Sequence, residues 1–182
     1  MRQFTAEVVR LLGERGVPAS LPDLPGANES LAPLEAQSLE SWRAAASEAA
    51  WQLGCTHVLA IRAGANAAPE LPGWAYAALP GKNALRGLLR ARVLASKERG
   101  VPEDRDGLLE SGKTDGLELA GYRLGPDMIA QLENAELPDR PELRPVAAAE
   151  LGGPGLWLRA EPDHDAAQAE ALVELICTDL DA

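Results

Sequence analysis

The segment His57-Val58-Leu59-Ala60-Ile61-Arg62-Ala63-Gly64-Ala65-Asn66 constrains the fold of this chain more than any other. An apolar run runs straight into small residues, so it reads as a short strand entering a tight turn. Strand-to-helix turns of this kind are where many α/β enzymes present a nucleophile. The residue at the apex is Arg62, whose guanidinium attacks no carbonyl and keeps its proton inside a protein. The segment therefore demands an α/β architecture and leaves open whether the turn carries out chemistry.

The rest of the chain supplies elements around that strand. Phe4, Val8, Leu11 and Leu12 fall on one helical face, and Gly16 ends the helix begun near Phe4. Val17 to Leu21 reads as a short edge strand despite Pro18. Pro22 to Gln37 reads as a loop, after which Ser38, or Ser41, caps a helix to about Leu53. Its apolar stripe is Leu39, Trp42, Ala46, Ala49, Ala50 and Leu53. A second strand is expected at Trp74 to Leu79, a helix from Asn83 to Glu98, and a polar loop through Thr114. Gly116 to Tyr122 alternates as a strand. Pro126 opens a helix to Asn134, where proline in the first turn is well placed. Strands near Val146 to Glu150 and Leu156 to Ala160 precede a last helix from about Asp163 to Leu180. Strands alternating with helices predict an open, mostly parallel sheet flanked by helices. No internal repeat or long linker divides the chain, so a single domain over 1–182 is expected.

Composition narrows the function classes. Aromatic residues are only 4% of the chain, so Ala, Leu and Val must build the core. The net charge of −11 argues against binding nucleic acid, which needs clustered Lys and Arg to neutralise phosphates. It also disfavours anionic membrane surfaces. Cys55 and Cys177 each adjoin apolar segments and read as small buried hydrophobes rather than a disulfide. Two Cys and two distant His offer too few ligands for a zinc site, so no metal and no cofactor is expected. No leader precedes the first helix and no apolar run approaches a membrane span, which makes a soluble cytoplasmic protein the expectation.

In open parallel sheets, sites form in the loops beyond the carboxyl ends of the strands. Four loops qualify: Asp23 to Ser30, Arg62 to Asn66, the segment at Glu150, and Glu161-Pro162-Asp163-His164. Their order resembles the α/β-hydrolase superfamily. Asp23-Leu24-Pro25-Gly26-Ala27-Asn28-Glu29-Ser30 is similar to that superfamily's Asp-x-x-Gly-x-Gly-x-Ser turn, with Asn28 where the second glycine stands. Asn tolerates a left-handed backbone. Ala60 to Gly64 resembles the nucleophile elbow Gly-x-Ser-x-Gly, with Ala60 for the first Gly and Arg62 for Ser. The resemblance implies a partial α/β-hydrolase-like core with Glu150 at the acid position and His164 at the base position. More narrowly, Gly81-Lys82-Asn83-Ala84-Leu85, Leu89-Arg90-Ala91-Arg92 and Glu118 to Leu124 resemble the exosortase A system-associated hydrolase group. Many members of that group carry a Gly-x-Arg-x-Gly elbow, and they accompany exopolysaccharide export and surface-protein sorting genes.

The chain begins at the helix that follows, in the superfamily, the strands supplying part of the oxyanion hole. Acyl hydrolysis needs nucleophile, base and oxyanion donors together, and loss of one triad member costs orders of magnitude in rate. The expectation is a non-catalytic α/β-hydrolase-like protein that binds or assembles, as a homodimer or with a partner covering an exposed sheet edge. A residual esterase or thioesterase attacking through Ser30 or Cys55 is the alternative. Arg62 either braces the crevice against Glu150, Asp23 or backbone carbonyls, or forks a carboxylate or phosphate of a small anionic ligand. Gly64, Asn66, Asp23 and Ser30 are the other candidate ligand-binding residues, although Asp23 and Ser30 also suit bracing of their own turn. Charge is segregated: Lys82, Arg86, Arg90, Arg92, Lys97 and Arg99 cluster against one acid, Glu98, while 161–182 holds seven acids and no Lys or Arg. These faces either attract one another within the fold or dock an acidic partner or sugar acid.

Overall fold

A computed structural model describes residues 2–152 and 165–181. Six α-helices and five short strands follow the chain as α1 (Arg2–Glu14), α2 (Leu39–Gln52), β1 (Val58–Ile61), β2 (Gly73–Tyr76), α3 (Gly81–Glu98), α4 (Arg105–Asp115), β3 (Leu117–Leu119), β4 (Tyr122–Leu124), α5 (Pro126–Asn134), β5 (Leu143–Val146) and α6 (Ala166–Leu180). The fold is a mixed α/β one, with a small, mostly parallel sheet in the order β1-β2-β5 flanked by helices. The chain divides into two compact units, 1–22 with 144–182, and 23–143, and passes from one to the other at β5.

In the smaller unit, α1 packs on α6. Phe4, Val8 and Leu12 repeat every four residues and are buried, as are Ala169, Leu172, Val173 and Ile176. Such spacing lays one stripe along each helix, and burial of those stripes supplies most of the stability of short helices. Gly16, at φ 79°, ends α1 and lets the Val17 N–H return to the Leu12 carbonyl at 2.9 Å. Asp165 caps α6 by accepting from the Gln168 N–H.

In the larger unit, β1 and β2 run parallel with Val58 opposite Gly73 and Ile61 opposite Tyr76. A Cβ at Gly73 would stand 1.9 Å from the Val58 carbonyl oxygen, so only glycine lets the strands meet there. Ser38 and Ser41 cap α2 together, each hydroxyl accepting from the other's backbone N–H. Most of this unit's core lies among the helices: Leu85 and Leu89 of α3, Leu108 of α4, Met128 and Ile129 of α5, and the inward leucines of β3 and β4. Gly112 lets α4 approach α5 closely: a Cβ there would meet the Ile129 side-chain tip at 2.9 Å.

Several expected elements differ. Residues 17–24 pair with no strand among the described residues, because Pro18 and Pro22 remove N–H donors from the run. The polar loop before Thr114 contains α4, whose start is set by Asp104 accepting from the Gly107 N–H at 2.9 Å. The strand at Gly116 to Tyr122 is a hairpin, turned by Ala120 (φ 50°) and Gly121 (φ 82°). Two positive φ values in succession suit the right-handed twist of the flanking strands. β2 stops at Tyr76 because Ala77 adopts φ 45°. β5 lies upstream of the expected 146–150 strand and includes Pro145, while 148–151 form a 3-10 turn. Cys55 is exposed beyond the end of α2 rather than buried, and both thiols are free. The expected strand at 156–160 lies outside the described residues.

Candidate functional site

The parallel strands β1 and β2 end side by side, and each is followed by a residue in the left-handed region: Arg62 at φ 55° and Ala77 at φ 45°. A side chain there costs roughly 1–2 kcal/mol per residue, and such strain concentrates where the surrounding structure fixes it. Here the two strained residues hold one another. The Arg62 guanidinium donates from Nη1 to the Ala77 carbonyl at 3.2 Å, and the Leu79 N–H donates to the Arg62 carbonyl at 3.1 Å. Partial burial pulls the Arg62 pKa below its usual value, with the Tyr76 phenol opposing. The side chain stays a cation, since arginine keeps its proton in proteins.

The chain then winds through a 3-10 turn, 62–66, whose last residue is the fastener of the site. Asn66 is 3% exposed. Its Nδ2 donates to the carbonyls of Ala63 and Leu79, both at 2.8 Å, and its Oδ1 accepts from the Gly81 N–H at 2.8 Å. Gly81 is the first residue of α3, so one buried amide ties the turn after β1 to the loop after β2 and to a helix start. The Asn66 carbonyl accepts from Nε of Arg43 on α2 at 2.7 Å. Arg140 secures the next stretch, donating to the carbonyls of Pro69 and Leu71 at 2.8 Å each while pairing with Glu142. Neither Arg43 nor Arg140 stood out in the sequence; Arg140 lies between Pro138 and Pro141, which marked only a loop. Gly64 faces open space at the rim of the turn.

The Asp23–Ser30 loop is braced locally. Asp23 accepts from the Asn28 amide at 2.8 Å and the Glu29 N–H at 3.3 Å, and Ser30 Oγ accepts from the N–H groups of Gly26 and Ala32. Asn28 takes φ 50°, the left-handed conformation its side chain suits. Glu150 is also engaged nearby: it accepts from the Ala147 N–H at 2.6 Å and lies 3.8 Å from Arg144. His164 lies outside the described residues. A groove of about 800 Å³ runs between α2 and the β1–β2 connection, lined by Arg43, Ser47, Trp51, Cys55, Pro69 and Arg140 among others. Among the described candidate residues, Asn66 and Cys55 reach it, and Asn66 has its amide atoms committed elsewhere.

No cluster of three or more His, Cys, Asp or Glu side chains among the described residues is placed to hold a metal. No described helix is long and apolar enough to cross a membrane. No family model, curated protein or solved structure matches the chain.

Proposed function

We propose that this chain is a non-catalytic α/β-hydrolase-like protein that acts by binding or assembly. The observation that carries this reading is the position of Arg62: a strained, left-handed apex directly after a parallel strand, held by a carbonyl of the neighbouring strand end. A sharp, strained residue directly after a parallel strand is shared with the nucleophile elbow, although here a 3-10 turn over 62–66 and then β2 follow in place of the elbow's α-helix. The strained apex suits hydrolase ancestry while its side chain suits no acyl transfer. The substitute nucleophiles fare poorly. Ser30 Oγ already accepts two backbone N–H groups, and Cys55 precedes β1, away from the turn.

Assembly is favoured by the sheet itself. Among the described residues β1 is an outer strand in the order β1-β2-β5, and the Val58 N–H points to the Pro72 carbonyl on the β2 side. Alternation turns the peptide groups of Leu59 and Ile61 toward the open edge. Open edges recruit other strands, so a homodimer or a partner strand covering β1 fits this reading. A role beside exopolysaccharide or surface-protein export is part of the proposal, supported by the likeness of Gly121-Tyr122-Arg123-Leu124 to the exosortase-associated group. A carboxylate or phosphate ligand near Arg62 belongs to the same reading.

Treatment with a fluorophosphonate followed by intact-mass measurement tests it. The expected result is an unmodified chain. A stoichiometric adduct that disappears in Ser30→Ala would restore the hydrolase alternative.

A further inference from the structure

Two helices carry exposed charge in the same register. On α3, Arg86, Arg90 and Lys97 are exposed, and no ion pair engages them among the described residues. Of the other basic residues of that region, Lys82 pairs with Glu136 and Arg92 with Glu103, and Arg99, exposed at the end of α3, falls on the far side of the helix from this trio. On α6, Glu170 and Glu174 are exposed, as is Asp181, whose backbone continues the helix with φ −89° and ψ −7°. These three also have no ion pair among the described residues, whereas Asp179 is bound to Arg144.

The spacings coincide. Arg86, Arg90 and Lys97 are separated by four and then seven residues, as are Glu170, Glu174 and Asp181. At 3.6 residues per turn, each trio falls within a strip about 40° wide and spans about 16 Å of helix. Aligned in the same direction, Arg86 meets Glu170, Arg90 meets Glu174, and Lys97 meets Asp181. Leu94, 60% exposed on α3, then faces Thr178. Reversing one helix puts the seven-residue gap against the four-residue gap and loses the match.

We propose that α3 of one copy docks on α6 of a second copy of this chain through these two strips. The occupant is argued from charge: a chain of net −11 that leaves three aligned cations without an ion pair among the described residues presents them to an acidic surface, and its own α6 offers one in matching register. Exposed pairs each contribute little, so the contact is weak and specific rather than tight, set by complementarity. The net charge repels copies at a distance, and salt near 0.1 M, with a screening length of about 10 Å, softens that repulsion while leaving contact pairs in place. This pairing supplies a surface for the assembly proposed above without using the β1 edge, and it holds whether or not the elbow hydrolyses esters.

The test is a charge-swap mixing experiment read by sedimentation equilibrium near 0.1 M salt. One variant carries Arg86→Glu, Arg90→Glu and Lys97→Glu; the other carries Glu170→Lys, Glu174→Lys and Asp181→Lys. All six positions are exposed, and circular dichroism checks that each variant keeps the helical signal. Arg90→Glu and Glu174→Arg form a milder pair should either triple variant lose it. The expected result is a self-associating wild type, at least a tenfold weaker association for each variant alone, and recovery in the equimolar mixture. Three reversals move the charge by six from −11, so both variants stay acidic and net attraction cannot account for recovery. A monomeric wild type, variants that associate like wild type, or a mixture that stays dissociated overturns the proposal; retained fluorophosphonate inertness in that case leaves the reading of the elbow standing.

Discussion

The turn after β1 and the Asp23–Ser30 loop start from the same ingredients and differ in reach. Both are rich in small residues, both contain a left-handed non-glycine residue, and both turn a polar side chain back onto the backbone. The bonds described for Asp23 and Ser30 stay within residues 23–32, on a partly buried loop. Asn66 is buried and joins two strand ends and a helix start, and Arg62 crosses from one strand end to the next. A buried polar atom without its partner costs about 1–3 kcal/mol, while an exposed one regains water. Equal numbers of hydrogen bonds therefore carry unequal weight: the Asp23 and Ser30 bonds brace a loop that Trp42 of α2 also holds through the Pro25 carbonyl, and the turn is a joint for the larger unit.

The contrast can be broken at its foundation. Gly73→Ala drives a Cβ into the Val58 carbonyl and asks alanine for φ 151°, so it separates β1 from β2 on the joint side. A loss of roughly 3 kcal/mol or more is expected, read as a fall in the urea midpoint. A midpoint within experimental scatter of wild type would mean the strands do not meet at Gly73. At the other extreme, Arg62→Gly relieves a left-handed side chain worth roughly 1–2 kcal/mol and gives up, among its contacts, the hydrogen bond to the Ala77 carbonyl, worth about 1 kcal/mol. The two nearly cancel, so stability should change by less than about 1 kcal/mol in the same titration. A large loss would show that the guanidinium carries more of the joint than its bond to Ala77 accounts for.

Much of this was legible in the sequence where local signals and packing agree. The Phe4-Val8-Leu12 stripe, the Ser38 cap, the 58–61 strand and the proline at the start of α5 all appear as read, because periodicity and capping act over one or two turns. The placement of Asn28 in a left-handed turn and of Asp23 and Ser30 as its braces also follows from residue type alone. α4 escaped notice because Gly107 and Gly112 weaken its helical pattern, and Gly112 is there to let Ile129 approach, a tertiary reason. β5 was displaced because Pro145 reads as a breaker, although an outer strand tolerates it. At the candidate site, the sequence pointed to Arg62 and its turn but assigned Asn66 to a ligand. Its three amide bonds run to Ala63, Leu79 and Gly81, and partners up to fifteen residues away leave no trace in a local pattern.

The most direct measurement of the joint compares two truncations by thermal melting under one condition. Asn66→Ala strips three hydrogen bonds from a buried site and leaves the Leu79 carbonyl and Gly81 N–H without that partner; a loss of about 2–4 kcal/mol is expected. Ser30→Ala removes two bonds from a partly buried local brace and should lose about 0.5–1 kcal/mol. A melting temperature lowered several-fold more by Asn66→Ala than by Ser30→Ala is the predicted result. Equal shifts, or a larger one for Ser30→Ala, would contradict the assignment of the turn after β1 as the structural joint of the site.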